Sequence, residues 1–385
     1  MTDVVVIANA GSSSLKISVF EIQSKSIGDK IYNIFLEKKD NNVIFHINKN
    51  LESTTEINGD AIKVMIDLFE EWWKTKNDLN LIATGHRVVH GGKNFNKPVL
   101  VNEKISEDLK ALIPLSPLHQ PYNLQVLDLF LQKYKKVSHI ACFDTSFHFT
   151  NPPIAKAFGL PKKYYDKGII RYGFHGLSYK YVSSHFKEVT KEDLPINTII
   201  AHLGSGSSLC AIKNGISVAS SMGFSVLDGV MMGTRTGNLD PGVVLYLLDH
   251  EKMTTKEVTE LLYKKSGLLG VSGESSDMRT LLASNKPDSK FAVDLFVHRI
   301  LLEIGKLTAA LEGLDCLIFT AGVGENSAII REMILDKLSW LGIKIDDAKN
   351  QKNEYIISTN DSKVKVLALP TNEELIIAEE VMKFL

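Results

Sequence analysis

The first clear run of apolar positions, Val4 to Ala8, is rich in β-branched residues and stops at the small polar cluster Gly11-Ser12-Ser13-Ser14. A second run, Leu15 to Phe20, follows at once. Strand, small-residue turn and strand predict a β-hairpin. The pattern returns at 198–203, at Gly204-Ser205-Gly206-Ser207 and at 208–212. Setting Gly11 on Gly204 separates the copies by 204 − 11 = 193 residues, half of the 385-residue chain. Two hairpins of one design, half a chain apart, predict a duplicated fold.

Elsewhere the period changes. Ile62, Met65, Ile66, Phe69, Trp72 and Trp73 recur at helical spacing. So do Val293, Phe296, Val297, Ile300, Ile304, Leu307 and Leu311, and that second helix is expected to stop at Gly313. Buried strands are predicted at 139–143, 316–320 and 364–369. Strands alternating with helices imply sheets covered by helices, an α/β chain. Asn151-Pro152-Pro153 is the candidate boundary between the halves.

Composition narrows the partners. The 44 Lys+Arg against 45 Asp+Glu leave a net charge of −1, which argues against nucleic acid as a partner. Apolar residues make up 44 % and are spread along the chain, so disorder is not expected, and the length suits two or three domains. Cys142, Cys210 and Cys316 are odd in number and far apart, reading as reduced buried thiols rather than a disulfide or zinc framework. The Val4–Ala8 run is too short for a signal-peptide core and lacks a basic leader. Nowhere do about 18 apolar residues run together, so no membrane partner is expected. The expectation is a soluble cytoplasmic protein.

Standard phosphate motifs are missing. There is no G-x-x-x-x-G-K-[ST], and the two Gly/Ser turns lack the third glycine of a dinucleotide fingerprint and lead into strands. Such a turn can still hold phosphate, because small side chains let backbone N–H groups converge on an anion. Ala321 to Asn326 is expected between a buried strand and a helix, whose N-terminus would add its positive dipole end. In Thr84 to Gly92, His86 and His90 could form a zinc pair on a helix. The valines and glycines argue for a strand, where i and i+4 lie roughly 13 Å apart, and zinc is rejected. On a strand Arg87 and Val89 share one face: either a site for a small carboxylate with a short alkyl tail, or a surface Arg over a core Val. Arg235 sits between glycines, Asp144 ends a strand, His175 lies in R-Y-G-F-H-G, and Glu373 and Glu374 open a helix. Two arginines, acids, a histidine and three glycine turns are the parts of phosphoryl transfer.

Ten segments then carry a family resemblance: NAGSSSLK (9–16), GHRVVHGG (85–92), SPLHQP (116–121), FDTSFH (143–148), RYGFHG (171–176), HLGSGSS (202–208), MGTRTGN (232–238), SSDMR (275–279), FTAGVGEN (319–326) and TNEEL (371–375). Over essentially its full length the chain resembles the acetate kinase family, in the superfamily of acetate and sugar kinases and actin. The resemblance implies a duplicated actin-like (ribonuclease H-like) α/β fold, two domains with a nucleotide cleft between them. They would be 1–148, with the helix 372–385 packing back on it, and 149–371. It implies reversible transfer from ATP to acetate, with ATP/ADP as co-substrate, Mg²⁺ (Mn²⁺ can substitute) and a homodimer. The same-class rival is a propionate or other short-chain acyl kinase; the different-class rival is an actin-like nucleotide switch.

The resemblance also assigns residues. Asn9 and Glu373 would help hold the metal, and Lys16 with His202, Leu203, Gly204, Ser205 and Gly206 would meet ATP phosphates. Asp277, Met278, Arg279, Gly322, Val323, Gly324, Glu325 and Asn326 would cradle the nucleotide. Arg87 would bind the acyl carboxylate, with Val89, Leu118 and Phe174 around its alkyl end. Asp144, His175 and Arg235 would surround the phosphoryl group. Three positions depart from the family pattern: Ser205 stands where Asn is common, Asn238 where Asp is common, and Val226 where a pocket-lining Pro is usual.

Overall fold

The computed structural model describes residues 1–24 and 26–385, which form two units. One unit is Met1–Ser146 with Asn372–Leu385, the other Phe147–Thr371.

The first unit is built on strands β1 (Thr2–Ala10), β2 (Ser14–Gln23), β3 (Ser26–Lys39), β4 (Asn42–Ile47), β5 (Asn50–Glu56), β6 (Leu79–Val88), β7 (Val99–Leu100) and β8 (Ser138–Phe143). Their order is β5-β4-β3-β2-β1-β6-β8-β7. The expected hairpin is β1–β2, with Val4 opposite Glu21 and Ala10 opposite Leu15. Across β1 the sheet changes character: β1, β6 and β8 are parallel. The helix Ala61–Trp73 is capped by Asp60 and buries Ile62, Met65, Ile66 and Phe69 in the core over this sheet, each worth about 1.5–3 kcal/mol. The helix Glu373–Met382 lies against β1 and β6. A Cβ at Gly85 of β6 would stand 2.6 Å from Ile377 and 2.8 Å from Val381, so glycine is what lets this helix come so close.

The second unit carries β9 (Asn197–Leu203), β10 (Ser207–Lys213), β11 (Ile216–Ser220), β12 (Cys316–Thr320) and β13 (Lys365–Ala368), in the order β11-β10-β9-β12-β13. β9, β10 and β11 are antiparallel neighbours, while β9, β12 and β13 are parallel. This repeats β3-β2-β1-β6-β8 strand for strand and direction for direction, the duplication that the two hairpins announced. The helix Pro287–Leu311 buries its apolar stripe and stops where expected, with Glu312 at φ +63° and Gly313 at φ +151°.

Two local expectations fail. Ala321–Asn326 lies between β12 and the helix Ala328–Leu335 as expected, but as a short helix of its own rather than a glycine turn, starting directly after β12. Glu325 Oε1 accepts the Ala321 N–H at 2.8 Å, and the buried Arg331 donates at 2.8 Å to the carbonyls of Gly324 and Glu325, so both ends are satisfied despite two glycines. β6 ends at Val88, because the Val89 N–H is taken by Asn123 Oδ1 at 3.0 Å instead of a neighbouring strand. Arg87 and Val89 therefore do not share a strand face. The three cysteines are buried thiols outside any disulfide, and among the described residues no helix is long and apolar enough to cross a membrane.

Candidate active site

In open α/β sheets, ligands gather where parallel strands end at their carboxyl edges. In the first unit Asn9 is the last residue but one of β1, Arg87 the last but one of β6, and Asp144 follows β8 by one residue. The Arg87 guanidinium forks onto Asp144, Nε to Oδ1 at 2.9 Å and Nη2 to Oδ2 at 2.6 Å. Its Nη1 donates to Asn9 Oδ1 at 3.1 Å and lies 3.7 Å from Glu373 Oε2, in the first turn of the helix seated on Gly85. Burial alone would lower the Arg87 pKa; Asp144, Glu373 and Glu374 outweigh it and raise it, so the cation is permanent. A bidentate, charge-assisted pair of this kind fixes both side chains. The cation expected to meet a substrate carboxylate is thus already held by a protein carboxylate.

The oxygens around it, from Asn9, Asp144 and Glu373, are hard donors of the type magnesium takes. Among the described residues no three His, Cys, Asp or Glu side chains gather as a ready metal cluster. That donor set fits a cation bound through one or two carboxylates that keeps most of its waters. Lys16 does not stand alone: its Nζ is 2.7 Å from Glu374 Oε1. Burial would raise the Glu374 carboxyl, but Lys16 and then Lys30 hold it below its usual range. Val89 is buried, and Leu118 is half-buried in the turn before the helix Gln120–Lys133. His86 Nε2 is 2.8 Å from Thr84 Oγ1, whereas His90 Nδ1 accepts the Gly92 N–H.

In the second unit the β9–β10 turn faces the side chains of Arg235 and His175. A Cβ at Gly206 would lie 2.6 Å from Arg235 Nη2 and 3.4 Å from His175 Nε2. Only glycine leaves both groups this near one backbone position. His175 is oriented from behind: its Nδ1 is 2.7 Å from Ser208 Oγ, which is 2.5 Å from the Tyr179 hydroxyl. Burial lifts the Tyr179 phenol well above its ordinary pKa, so it stays protonated. The His175 ring stacks on His202 at 4.3 Å, and His202 Nδ1 is 2.8 Å from Ser178 Oγ. Arg235 Nη1 donates to the Val226 carbonyl at 2.6 Å. Asn238 is exposed, and its backbone N–H donates to Gly229 O at 2.7 Å. The Val226 carbonyl is thus an anchor for Arg235 where the Asp-to-Asn departure had left its orientation open.

Beside that turn lies a cavity of about 970 Å³, lined by Gly204, Ser205, Asp277, Met278, Arg279, Gly322, Val323 and Asn326. This is ample for a nucleotide. Asp277 caps the helix Met278–Ala283 by accepting the Thr280 N–H at 3.0 Å, and Arg279 Nη2 returns to Asp277 at 3.1 Å. Leu203 and Gly324 are buried behind the wall, while the Ser205 side chain is exposed. Burial raises the Glu325 carboxyl; its Oε1 also accepts the Thr371 N–H at 3.1 Å, two residues before Glu373. Gln351 and Asn353 line the cavity and were not foreseen. Nor were Ser178, Tyr179 and Ser208, although Ser178 and Tyr179 follow His175 at i+3 and i+4, the spacing that returns to one helix face.

A five-strand arrangement present twice, with a glycine turn and an arginine near the carboxyl edge in each unit, is the actin-like ATPase fold equipped for phosphoryl transfer. The Acetokinase family profile matches residues 4–379. Acetate kinase from Rickettsia felis is 84 % identical and that from Rickettsia prowazekii 77 % identical, each over 385 residues and 100 % of both chains. Among solved structures, a propionate kinase from Francisella tularensis superposes with a TM-score of 0.90 at 34 % identity, covering 98 % of each chain. Porphyromonas gingivalis acetate kinase gives 0.88 at 32 % identity over 99 % of each. The chain belongs to the acetokinase family.

Proposed function

We infer that the chain catalyses reversible phosphoryl transfer from ATP to acetate, giving acetyl phosphate and ADP with a divalent cation. The observation that carries this reading is the family match over residues 4–379, deepened by full-length acetate kinases at 77–84 % identity. Acetate resembles an Asp or Glu side chain, with a pKa of about 4, so it arrives as a carboxylate and needs no general base. Asp144, tied up by both sides of Arg87, acts as the organiser of that arginine rather than as a proton acceptor. The difficulty is bringing two anions together: at about 4 Å and an effective dielectric of 20, each charge pair costs roughly 4 kcal/mol.

The roles follow. Arg87 takes the acetate carboxylate, with Val89, Leu118 and Phe174 about its methyl group. Arg235 and His175 meet the phosphoryl oxygens. Lys16 and the turn His202 to Gly206 take the ATP phosphates, while Asp277, Met278, Arg279 and Gly322 to Asn326 hold the nucleotide. Asn9 and Glu373 would hold Mg²⁺ (or Mn²⁺), which when bound neutralises phosphate charge. Residues 1–148 with 372–385, and 149–371, serve as the two domains, and the enzyme works in the cytoplasm, where buried thiols stay reduced. Formation of ATP from acetyl phosphate and ADP, dependent on added Mg²⁺ and abolished by chelation, is the test; no ATP under any of these conditions would overturn the reading.

Propionate is the second acid expected, because Val226 lacks the ring of the proline usual there and the Francisella relative is a propionate kinase. The homodimer is supported by the helix Pro241–Asp249, an apolar segment none of whose residues is buried, with Leu245 60 % and Tyr246 53 % exposed.

A further inference from the structure

His148 closes the FDTSFH segment and is fully buried, at 0 % exposure. Neither the nucleotide cavity nor the phosphoryl-facing groups include it. Its Nε2 lies 2.9 Å from the backbone carbonyl of Phe174, and its Nδ1 2.9 Å from Ser217 Oγ. A carbonyl can only accept, so the proton sits on Nε2 and that nitrogen donates to Phe174.

The segment it grips is strained. Phe174 stands between Gly173 at φ +77° and His175 at φ +57°, the latter a left-handed conformation that a side chain with a Cβ disfavours. Such residues persist only where the surroundings over-determine them. Two hydrogen bonds are among those that hold the segment. The Tyr172 N–H donates to Gly223 O at 2.9 Å, and the Phe174 carbonyl is met by His148. The imidazole also packs closely on Gly173, where a Cβ would lie 2.6 Å from its Cγ and Cδ2. Its edge meets Tyr179 at 5.5 Å, and the Tyr179 hydroxyl leads through Ser208 to His175 Nδ1. One buried side chain therefore touches both supports of His175, the loop that carries it and the hydroxyl chain behind it.

We propose that His148 is a positioning residue for phosphoryl transfer, its Nε2–H holding the Phe174 carbonyl so that the Phe174 and His175 side chains keep their working directions. The inference rests on the roles of Phe174 and His175 given above. Burial pushes the His148 pKa down to about 4, so the ring is neutral and the single proton stays on the donor nitrogen at working pH. Transfer chemistry punishes small displacements: a shift of about 1 Å can cost roughly 100-fold.

The test compares His148→Leu, His148→Gln and His175→Ala by steady-state kinetics with ATP, acetate and propionate, alongside unfolding midpoints. His148→Leu should lower kcat by about 10- to 100-fold while KM for ATP stays within about two-fold, because the nucleotide cavity has no contact with this ring. The propionate-to-acetate ratio should shift as Phe174 loosens. His148→Gln keeps an N–H that can reach the Phe174 carbonyl and should recover most of kcat. If His148→Leu turns over normally while His175→Ala is crippled, the positioning role is wrong and the site reading stands. If His175→Ala itself turns over normally, the site reading fails first. Equal losses in the Leu and Gln variants would make His148 a packing residue only and overturn the proposal. Should His148→Leu not fold, Ser217→Ala takes its place, freeing Nδ1 and loosening the ring; a normal kcat there overturns the proposal, and a lowered kcat with unchanged KM for ATP supports it.

Discussion

Arg87 and Arg235 carry the same charge but are held in different ways. Arg87 is locked bidentately to Asp144, whose carboxylate is 1 % exposed, so it presents one fixed cation to ground state and transition state alike. Removing uniform binding raises KM more than it lowers kcat. Arg87→Ala should therefore raise KM for acetate, and it should also strand a buried carboxylate, costing about 3–5 kcal/mol of stability. Arg235 donates Nη1 to the Val226 carbonyl and keeps Nη2 against Gly206. Arg235→Ala should lower kcat by about 10³-fold or more, as arginine fingers do, with little change in the unfolding midpoint. Arg235→Lys should rescue poorly, since a point charge cannot replace a planar fork. Steady-state kinetics with paired melting curves check all three. A near-normal kcat for Arg235→Ala, or an unchanged midpoint for Arg87→Ala, would contradict these roles.

At the scale of elements, the loop 221–238 ties Val226 to Arg235. Val226 is nearly buried and supplies the carbonyl that anchors Arg235. A proline there keeps that carbonyl while narrowing the space beside it. One methylene is worth about 1–3 kcal/mol of discrimination, so Val226→Pro should lower the propionate-to-acetate ratio of kcat/KM several-fold. If the ratio stays put, residue 226 does not line the acyl end. The elements themselves were largely legible. Apolar, β-branched runs and Gly/Ser turns marked both hairpins, and period-3.6 stripes marked Ala61–Trp73 and Pro287–Leu311. What was not legible depends on partners distant in sequence. Arg87 finds Asp144 57 residues away, and Val89 leaves its strand because Asn123 takes its N–H. Ala321–Asn326 becomes helical through Glu325 and Arg331 despite its glycines. Chemistry-bearing residue types stand out in a sequence, whereas buried residues that aim them, such as Ser208 and Tyr179, look like ordinary core.

For the whole molecule, buried histidines set the response to acid. Burial lowers His90 and His148 to about 4 and His86 well below its ordinary value. Unfolded, each titrates near 6.5, so below that pH the unfolded chain binds protons that the folded chain refuses. The stability they confer is whole above about pH 6.5 and is lost as pH falls toward 4, at up to about 3 kcal/mol for each of His90 and His148. Urea midpoints should drop between pH 7 and pH 5; a flat profile would contradict neutral burial. Assembly belongs to this scale too. Sedimentation should give twice the 42.8 kDa chain mass, and Leu245→Glu on the exposed apolar helix should yield monomer. A monomeric parent would contradict the homodimer. The central claim is transfer of phosphoryl to a short carboxylate, and trapping the acyl phosphate with hydroxylamine across formate, acetate, propionate and butyrate tests it most directly. The account predicts acyl hydroxamate in step with ADP, acetate first and propionate close behind. ATP hydrolysis with no hydroxamate from any acid would contradict it and leave a nucleotide switch in its place.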